Sequence, residues 1–208
     1  PASIHTIRAG VDKSGKVVAW SFNSKGFDRL NVASNESKPQ DNLFSQLAGV
    51  KPKPALVYGS PQESYTFPAK QLTWEVIAPL LESGSPLRTS HLRDPLGPDI
   101  HFASESFIDE VAFSVGMDPV EFRLQNIGNE RDRDLIKAVA EKAGWEKHTK
   151  ARKQRRGDVA IGHGVAYALR GRTRVAIFAE VEVNMKTGKV WGKRFVVSHD
   201  CGVVINPD

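Results

Sequence analysis

One cysteine, Cys201, stands in 208 residues. It excludes an internal disulfide, and it excludes a four-cysteine iron–sulfur site built from this chain alone. Long apolar runs are also missing. No stretch approaches the roughly 18 to 20 residues that cross a bilayer as a helix, and Pro1 to Arg8 lack the basic-then-apolar order of a secretory signal. The expectation is a chain with no membrane span and no recognisable address, which leaves its compartment open. His91, His101, His163 and His199 fall at no metal-ligand spacing such as two histidines four apart on one helix, so a protein-ligated zinc site is not expected. Gly162-His163-Gly164 lacks the lysine pattern of a phosphate-binding loop. Neither an internal repeat nor a low-complexity tract is found.

What is present is ordinary for a globular protein: 40% hydrophobic and 25% charged residues. The length suits one good core. The net charge of +5 raises the question of nucleic acid, but the excess is local. Lys147, Lys150, Arg152, Lys153, Arg155 and Arg156 crowd one short stretch, with no aromatic residue after Trp145 on which bases would stack. A solvated loop or partner-facing patch is expected there, and no nucleic-acid partner.

Hydrophobic periodicity assigns the elements. Two apolar-rich runs between Ile4 and Phe22 flank Asp12-Lys13-Ser14-Gly15-Lys16, as in a β-hairpin. Asn23 to Lys53 is largely polar and reads as a surface excursion. Leu56–Tyr58 and Leu72–Ile77 read as strands punctuated by Pro61 and Pro68. Ile100, Ala103, Phe107, Ile108, Val111, Ala112 and Val115 recur at helical spacing, with Gly116 suited to the cap. Asp118-Pro119-Val120-Glu121 opens a second helix with a capping side chain and a first-turn proline. Leu135, Ile136, Val139, Ala140 and Ala143 define a third, ended by Gly144. Val175, Ile177, Ala179, Val181 and Val183 then alternate with Glu180, Glu182 and Asn184, the pattern of a strand with one wet face, and Lys186-Thr187-Gly188 turns into a partner strand over Val190–Ser198. Strands, then helices, then strands imply an α+β fold with a mixed or antiparallel sheet and packed helices.

With these elements placed, TFPAKQLTWEV (Thr66–Val76), PLRTSHLRDPLGPDIHFASESFIDEVAFSVGMDPVEFRLQNI (Pro86–Ile127), LIKAVAEKAGW (Leu135–Trp145) and AIFAEVEVNMKTGKVWGKRFVVSHDCGVVINPD (Ala176–Asp208) resemble, in combination and in order, the molybdopterin-binding large subunits of the xanthine dehydrogenase and aldehyde oxidase family. The likeness is greatest to the isoquinoline 1-oxidoreductase, nicotinate dehydrogenase and aldehyde dehydrogenase branch, and is read over Thr66 to Asp208. It implies that residues 1–208 form part of a molybdenum cofactor-binding domain, with an N-terminal β subregion at 1–80 and a helical and C-terminal β subregion at 81–208. The implied activity is hydroxylation of an aldehyde or N-heteroaromatic carbon with water-derived oxygen. The implied cofactor is molybdenum-molybdopterin in its cytosine dinucleotide form. Implied partners are a small subunit carrying iron–sulfur clusters and a cytochrome or other electron acceptor.

The resemblance also places Arg93 where the family has an arginine beside the active site, and a guanidinium suits a carboxylate, a phosphate or developing negative charge. A loop ion pair with Asp94 or Asp99 is the structural alternative. Gly97 is the candidate cofactor contact, because a missing Cβ permits close approach. Many relatives follow the arginine with a glycine-rich run, whereas here it leads into Asp94-Pro95-Leu96-Gly97. Glu105 matches a family glutamate and is expected to form a structural salt bridge, while Asp109 and Glu110 are expected to be solvated or capping. Asp200, Gly202, Asn206 and Pro207 are expected to fix a tight turn, and Cys201 to be a buried, inert thiol. The family's glycine- and glutamine-containing pterin loops and its late glutamate segment are not found, so this chain alone is expected to be inactive. The contrasting expectation is a stand-alone binding or assembly module that shares the fold.

Overall fold

A computed structural model describes residues 3–27, 48–49, 61, 63–77, 97–152 and 154–206. Among these lie seven strands and three helices, an α+β arrangement. The strands are β1 (Ser3–Val11), β2 (Val17–Phe27), β3 (Lys70–Ile77), β4 (Gln154–Arg156), β5 (Val159–Arg170), β6 (Thr173–Asn184) and β7 (Val190–Asp200), and the helices are α1 (Gly97–Ser114), α2 (Pro119–Asn126) and α3 (Glu130–Ala143). One sheet has the order β1-β2-β3 and the other β4-β5-β6-β7. The chain divides into two compact units, one of Pro1–Arg8, Trp20–Gln62 and Ala69–Ala103, the other of Ala9–Ala19, Glu63–Pro68 and Ser104–Asp208.

In the first unit β2 pairs parallel with β3 from Trp20 opposite Lys70 to Phe27 opposite Ile77. The sheet is therefore mixed. Trp20, Phe22 and Ser24 are buried, the period of two that sends alternate side chains to one face. The polar stretch after Phe22 does not leave the sheet at once: Asn23 to Phe27 continue β2. Ladder hydrogen bonds to β3 satisfy that backbone whatever the side chains prefer. The remainder of the expected excursion, and the expected strand Leu56–Tyr58, lie outside the described residues apart from Ala48 and Gly49.

In the second unit the turn between β1 and β2 is held by Asp12, whose Oδ1 accepts from Ser14 N at 2.8 Å, Ser14 Oγ at 2.6 Å and Lys16 N at 3.0 Å. The helices end as their sequences imply. Met117 N donates to Ala112 O at 2.9 Å beyond α1, and Gly144 caps α3 in the left-handed region at φ 70°, where a missing Cβ removes the steric cost. Ile136 and Val139 of α3 are buried, and α3 packs on β6 and β7.

Two strands escaped the sequence reading. β5 contains Gly162-His163-Gly164, and glycine and alanine carry little strand propensity; pairing along all of β6, from Val159–Asn184 to Arg170–Thr173, holds it extended. β4 takes up Arg155 and Arg156 of the basic stretch. β6 also departs from the expected wet face. Its buried residues are Ala176 and Phe178, which share a face with Glu180 and Glu182, so the side with the carboxylates packs on the helices. Glu180 meets His163 at 3.2 Å and Glu182 meets Lys193 at 3.4 Å.

Candidate functional site

The second unit is organised around a buried polar cluster. Arg123, on α2, has no exposed surface and Glu105, on α1, very little. The guanidinium donates through Nε to Glu105 Oε2 at 3.1 Å, through Nη1 to Asp109 Oδ1 at 2.6 Å and Pro119 O at 3.0 Å, and through Nη2 to Glu105 O at 3.2 Å. Glu105 Oε2 also accepts from Tyr167 N on β5 at 2.8 Å. A buried charge is tolerated when its donors are used in this way. Burial pushes the Glu105 carboxyl up, against the opposing pull of Arg123. Burial opposes the charge on Arg123, yet Glu105, Tyr65 and Asp109 raise its pKa above the ordinary value. The Tyr65 hydroxyl is pushed up by burial and by the neighbouring Glu105.

Asp118 is the second centre. As the cap of α2 its Oδ1 accepts from Val120 N at 2.9 Å and Glu121 N at 3.1 Å, and its Oδ2 accepts from Trp145 Nε1 at 3.0 Å and His148 N at 2.9 Å. One carboxylate thus closes a helix start and anchors the chain after α3. Glu121 instead pairs with Lys147. Asn126, buried at the other end of α2, accepts from Val17 N at 3.0 Å and donates to Phe122 O at 2.9 Å. Asp118, Arg123 and Asn126 of the DPVEFRLQN stretch thus make buried connections, while Glu121 pairs at the surface.

At the end of β7, Asp200 Oδ1 accepts from Gly202 N at 2.8 Å, with Gly202 at φ 86°. Asp200 Oδ2 takes Arg131 of α3 at 2.5 Å. The Gly202 amide and Arg131 hold the Asp200 carboxyl below its ordinary range. Cys201, beside it, is exposed, against the expectation of burial: the preceding β7 residues that made its setting look apolar are themselves largely exposed.

A cleft of about 190 Å³ opens beside the end of α3, between Trp145, His148, His163, Phe178, Glu180 and Arg194. Its charges are already committed. Arg194 donates to Ala143 O and Lys142 O at 3.1 Å each, and Arg152 pairs with Glu146.

In the first unit, Gly97 opens α1 and its carbonyl accepts from His101 Nδ1 at 2.9 Å. Asp99 Oδ2 accepts from Ser3 Oγ at 2.7 Å, Ser3 Oγ lies 2.9 Å from His5 Nε2, and His5 Nδ1 lies 2.7 Å from Ser24 Oγ. Arg93 lies outside the described residues. The expected salt bridge of Glu105 is present, but its partner Arg123 was not singled out from sequence. The available signal was an arginine flanked by Phe122 and Leu124 in a capped helix.

An α+β unit of this order, closed by a D-G turn after an exposed apolar strand, is the setting in which the comparisons fall. A model of the molybdopterin cofactor-binding domain matches residues 172–208, from the start of β6 onward. Over its whole length the chain is 34% identical to a nicotinate dehydrogenase subunit of Pseudomonas putida, covering 17% of that protein. Over 52% of its length it is 31% identical to the beta subunit of isoquinoline 1-oxidoreductase from Brevundimonas diminuta, covering 13% of that protein. The crystal structure of the aldehyde oxidoreductase from Desulfovibrio desulfuricans shares the fold, with a TM-score of 0.51 and 20% identity over 90% of this chain and 20% of that one. The chain is thus similar along its whole length to a nicotinate dehydrogenase subunit, and it spans about a sixth of the length of that relative. Similarity extends over all 208 residues, further toward the N-terminus than the motifs alone reach.

Among the described residues no group of three or more histidine, cysteine, aspartate or glutamate side chains is placed to hold a metal ion. The cleft beside α3 is also below the ~300 to 1,000 Å³ usual for a cofactor or drug-sized ligand. That cleft is too small to accommodate a molybdopterin. No helix among them is long and apolar enough to cross a membrane.

Proposed function

We propose that these residues are part of a molybdenum hydroxylase, an oxidoreductase that places a water-derived oxygen on the carbon of an aldehyde or N-heteroaromatic compound. The observation that carries this reading is the 34% identity to the nicotinate dehydrogenase subunit along the entire chain, supported by the cofactor-domain match over 172–208. It favours an enzyme over a stand-alone binding module. The cofactor of the assembly is molybdenum-molybdopterin in the cytosine dinucleotide form. Electrons leave through iron–sulfur clusters on a small subunit toward a cytochrome or other acceptor. Residues 1–208 form one part of the cofactor-binding domain, its N-terminal β subregion at 1–80 and its helical and C-terminal β subregion at 81–208.

In this reading Arg93 holds a substrate carboxylate or stabilises charge developing on the substrate, as a planar guanidinium is suited to do. Gly97 allows the backbone to approach the cofactor. The Arg123 and Asp118 clusters keep the helices in place and touch no substrate. The test is the complete assembly, purified and analysed for molybdenum, for the nucleotide released from its pterin, and for incorporation of oxygen from ¹⁸O-water into nicotinate, isoquinoline and an aldehyde. Molybdenum near one atom per large subunit, with labelled product from one of the three, is expected. A pterin-loaded assembly without molybdenum would overturn the reading.

A further inference from the structure

The β5-β6-β7 sheet has two unlike faces. On one, Tyr167, Ala176 and Phe178 are buried and α3 packs on β6 and β7. The strand registers assemble the other face row by row: Ala160–Val183–Val190, Gly162–Val181–Gly192, Gly164–Ala179–Phe195, Ala166–Ile177–Val197, and Ala168–Val175–His199. Fifteen positions contain one titratable residue, His199 at the end of the last row. Phe195 and Val197 are more than half exposed. A Cβ added at Gly164 would meet no atom within 4 Å, so open space lies above that row. The Phe195 ring lies along the sheet over Gly192, where an added Cβ would come within 2.6 Å of it. Beyond β7 the apolar character continues in Val203 and Ile205, both almost fully exposed.

A solvated sheet face carries alternating polar residues. A continuous apolar face of this extent marks a contact surface, and absence of charge from its centre is the mark of a permanent one. Its relief is also particular. Glycine and alanine along β5 form a furrow beside the ridge of valine and isoleucine on β6, which suits an element bearing large aliphatic or aromatic side chains.

We propose that this face seats an apolar layer of the same large subunit, polypeptide outside these 208 residues, so that the sheet is covered on both sides. The matched stretch is only 17% of the nicotinate dehydrogenase subunit and 20% of the aldehyde oxidoreductase chain that shares the fold. Ample polypeptide of one chain is thus at hand in proteins of this kind, and a tethered layer binds at a high effective concentration that a separate partner lacks. The proposal rests on the likeness to these longer chains and not on the reaction, so it stands or falls apart from molybdenum content.

The experiment uses the full-length large subunit in its assembled enzyme with Phe195→p-benzoylphenylalanine, a photocross-linking aromatic of similar shape. Irradiation followed by peptide mapping is expected to join position 195 to a peptide of the same polypeptide outside this region. Cross-links to a second copy, distinguished by isotopically mixed subunits, or to the small subunit, would overturn the proposal. Hydroxyl-radical footprinting of the unsubstituted enzyme gives an independent readout. Ile177, Phe195 and Val197 are expected to be labelled at least tenfold more slowly than in the unfolded chain, both in the assembly and in the isolated large subunit. Labelling at the unfolded rate, or protection only in the assembly, would overturn it as well.

Discussion

The Arg123 guanidinium lies 3.0 Å from the Glu105 carboxylate, with side-chain exposures of 0% and 8%, and together they tie α1, α2 and the backbone of β5. Removing Arg123 leaves the Glu105 carboxyl buried without its counter-ion, whereas Arg123 has a second partner in Asp109. Arg123→Ala is therefore expected to destabilise the second unit by about 3–5 kcal/mol, read by urea denaturation of the full-length subunit. Replacing both partners with apolar residues, as in Glu105→Leu with Arg123→Met, should cost less than the sum of the single changes. Additive losses would show that the pair does not act as a unit.

Asp118 serves four donors at once, so its loss leaves more than a helix cap open. Asp118→Ala is expected to cost about 1–3 kcal/mol and to alter the fluorescence of Trp145, whose indole N–H loses its acceptor. Asp118→Asn retains the cap acceptor and should recover part of that loss. Equal instability of both variants would indicate that the charge, and not the acceptor geometry, matters.

His5 gives the first unit a pH dependence. Burial lowers its pKa from 6.5, against the smaller opposing pull of Asp99, so the folded state binds fewer protons than the unfolded state just below that value. Its stabilising contribution is then complete above pH 6.5 and declines as pH falls through that value. Hydrogen exchange in β1, β2 and β3 should accelerate between pH 7 and pH 5, and His5→Phe should flatten the change. An unaltered profile in the variant would assign the dependence to another group.

At Gly15 the backbone has φ 83°, and an added Cβ would lie 2.9 Å from Met117 Cε. Gly15→Ala combines left-handed strain with a contact that only a flexible methionine relieves. A loss of about 1–2 kcal/mol is expected, and Met117→Ala in the same chain should return the contact portion but not the backbone portion. Thermal denaturation of the four proteins completes the cycle.

Arg93 is the residue for which activity and stability should separate. In the complete enzyme Arg93→Ala is expected to lower kcat/KM by at least about 100-fold, the scale of losing one charge-stabilising group, while the melting temperature changes little. Arg93→Lys should recover less than a point charge alone would provide, because the planar fork is lost. Unchanged kinetics would leave Arg93 a loop residue only.

Elements with strong local signals were legible from sequence. Asp118-Pro119, Gly116 and Gly144 mark helix ends through backbone requirements that need no distant partner, and all three behave as their chemistry implies. β5 was not legible, because its glycines and alanines become a strand only by pairing with β6. The exposure of Cys201 was hidden for a related reason. Apolar neighbours imply burial only when something covers them.

The residues by themselves determined the α+β class, the capped helices, the turn at Asp12 and the resemblance to molybdopterin-binding subunits, since each follows from local conformational preference or from ordered motifs. Only the tertiary structure decided that Arg123 is sealed between Glu105 and Asp109, that the carboxylate side of β6 carries its buried residues, and that its valine side is only partly covered. Burial and ion pairing depend on which distant segments meet, and a period of two states that a strand has two faces without saying which one is covered.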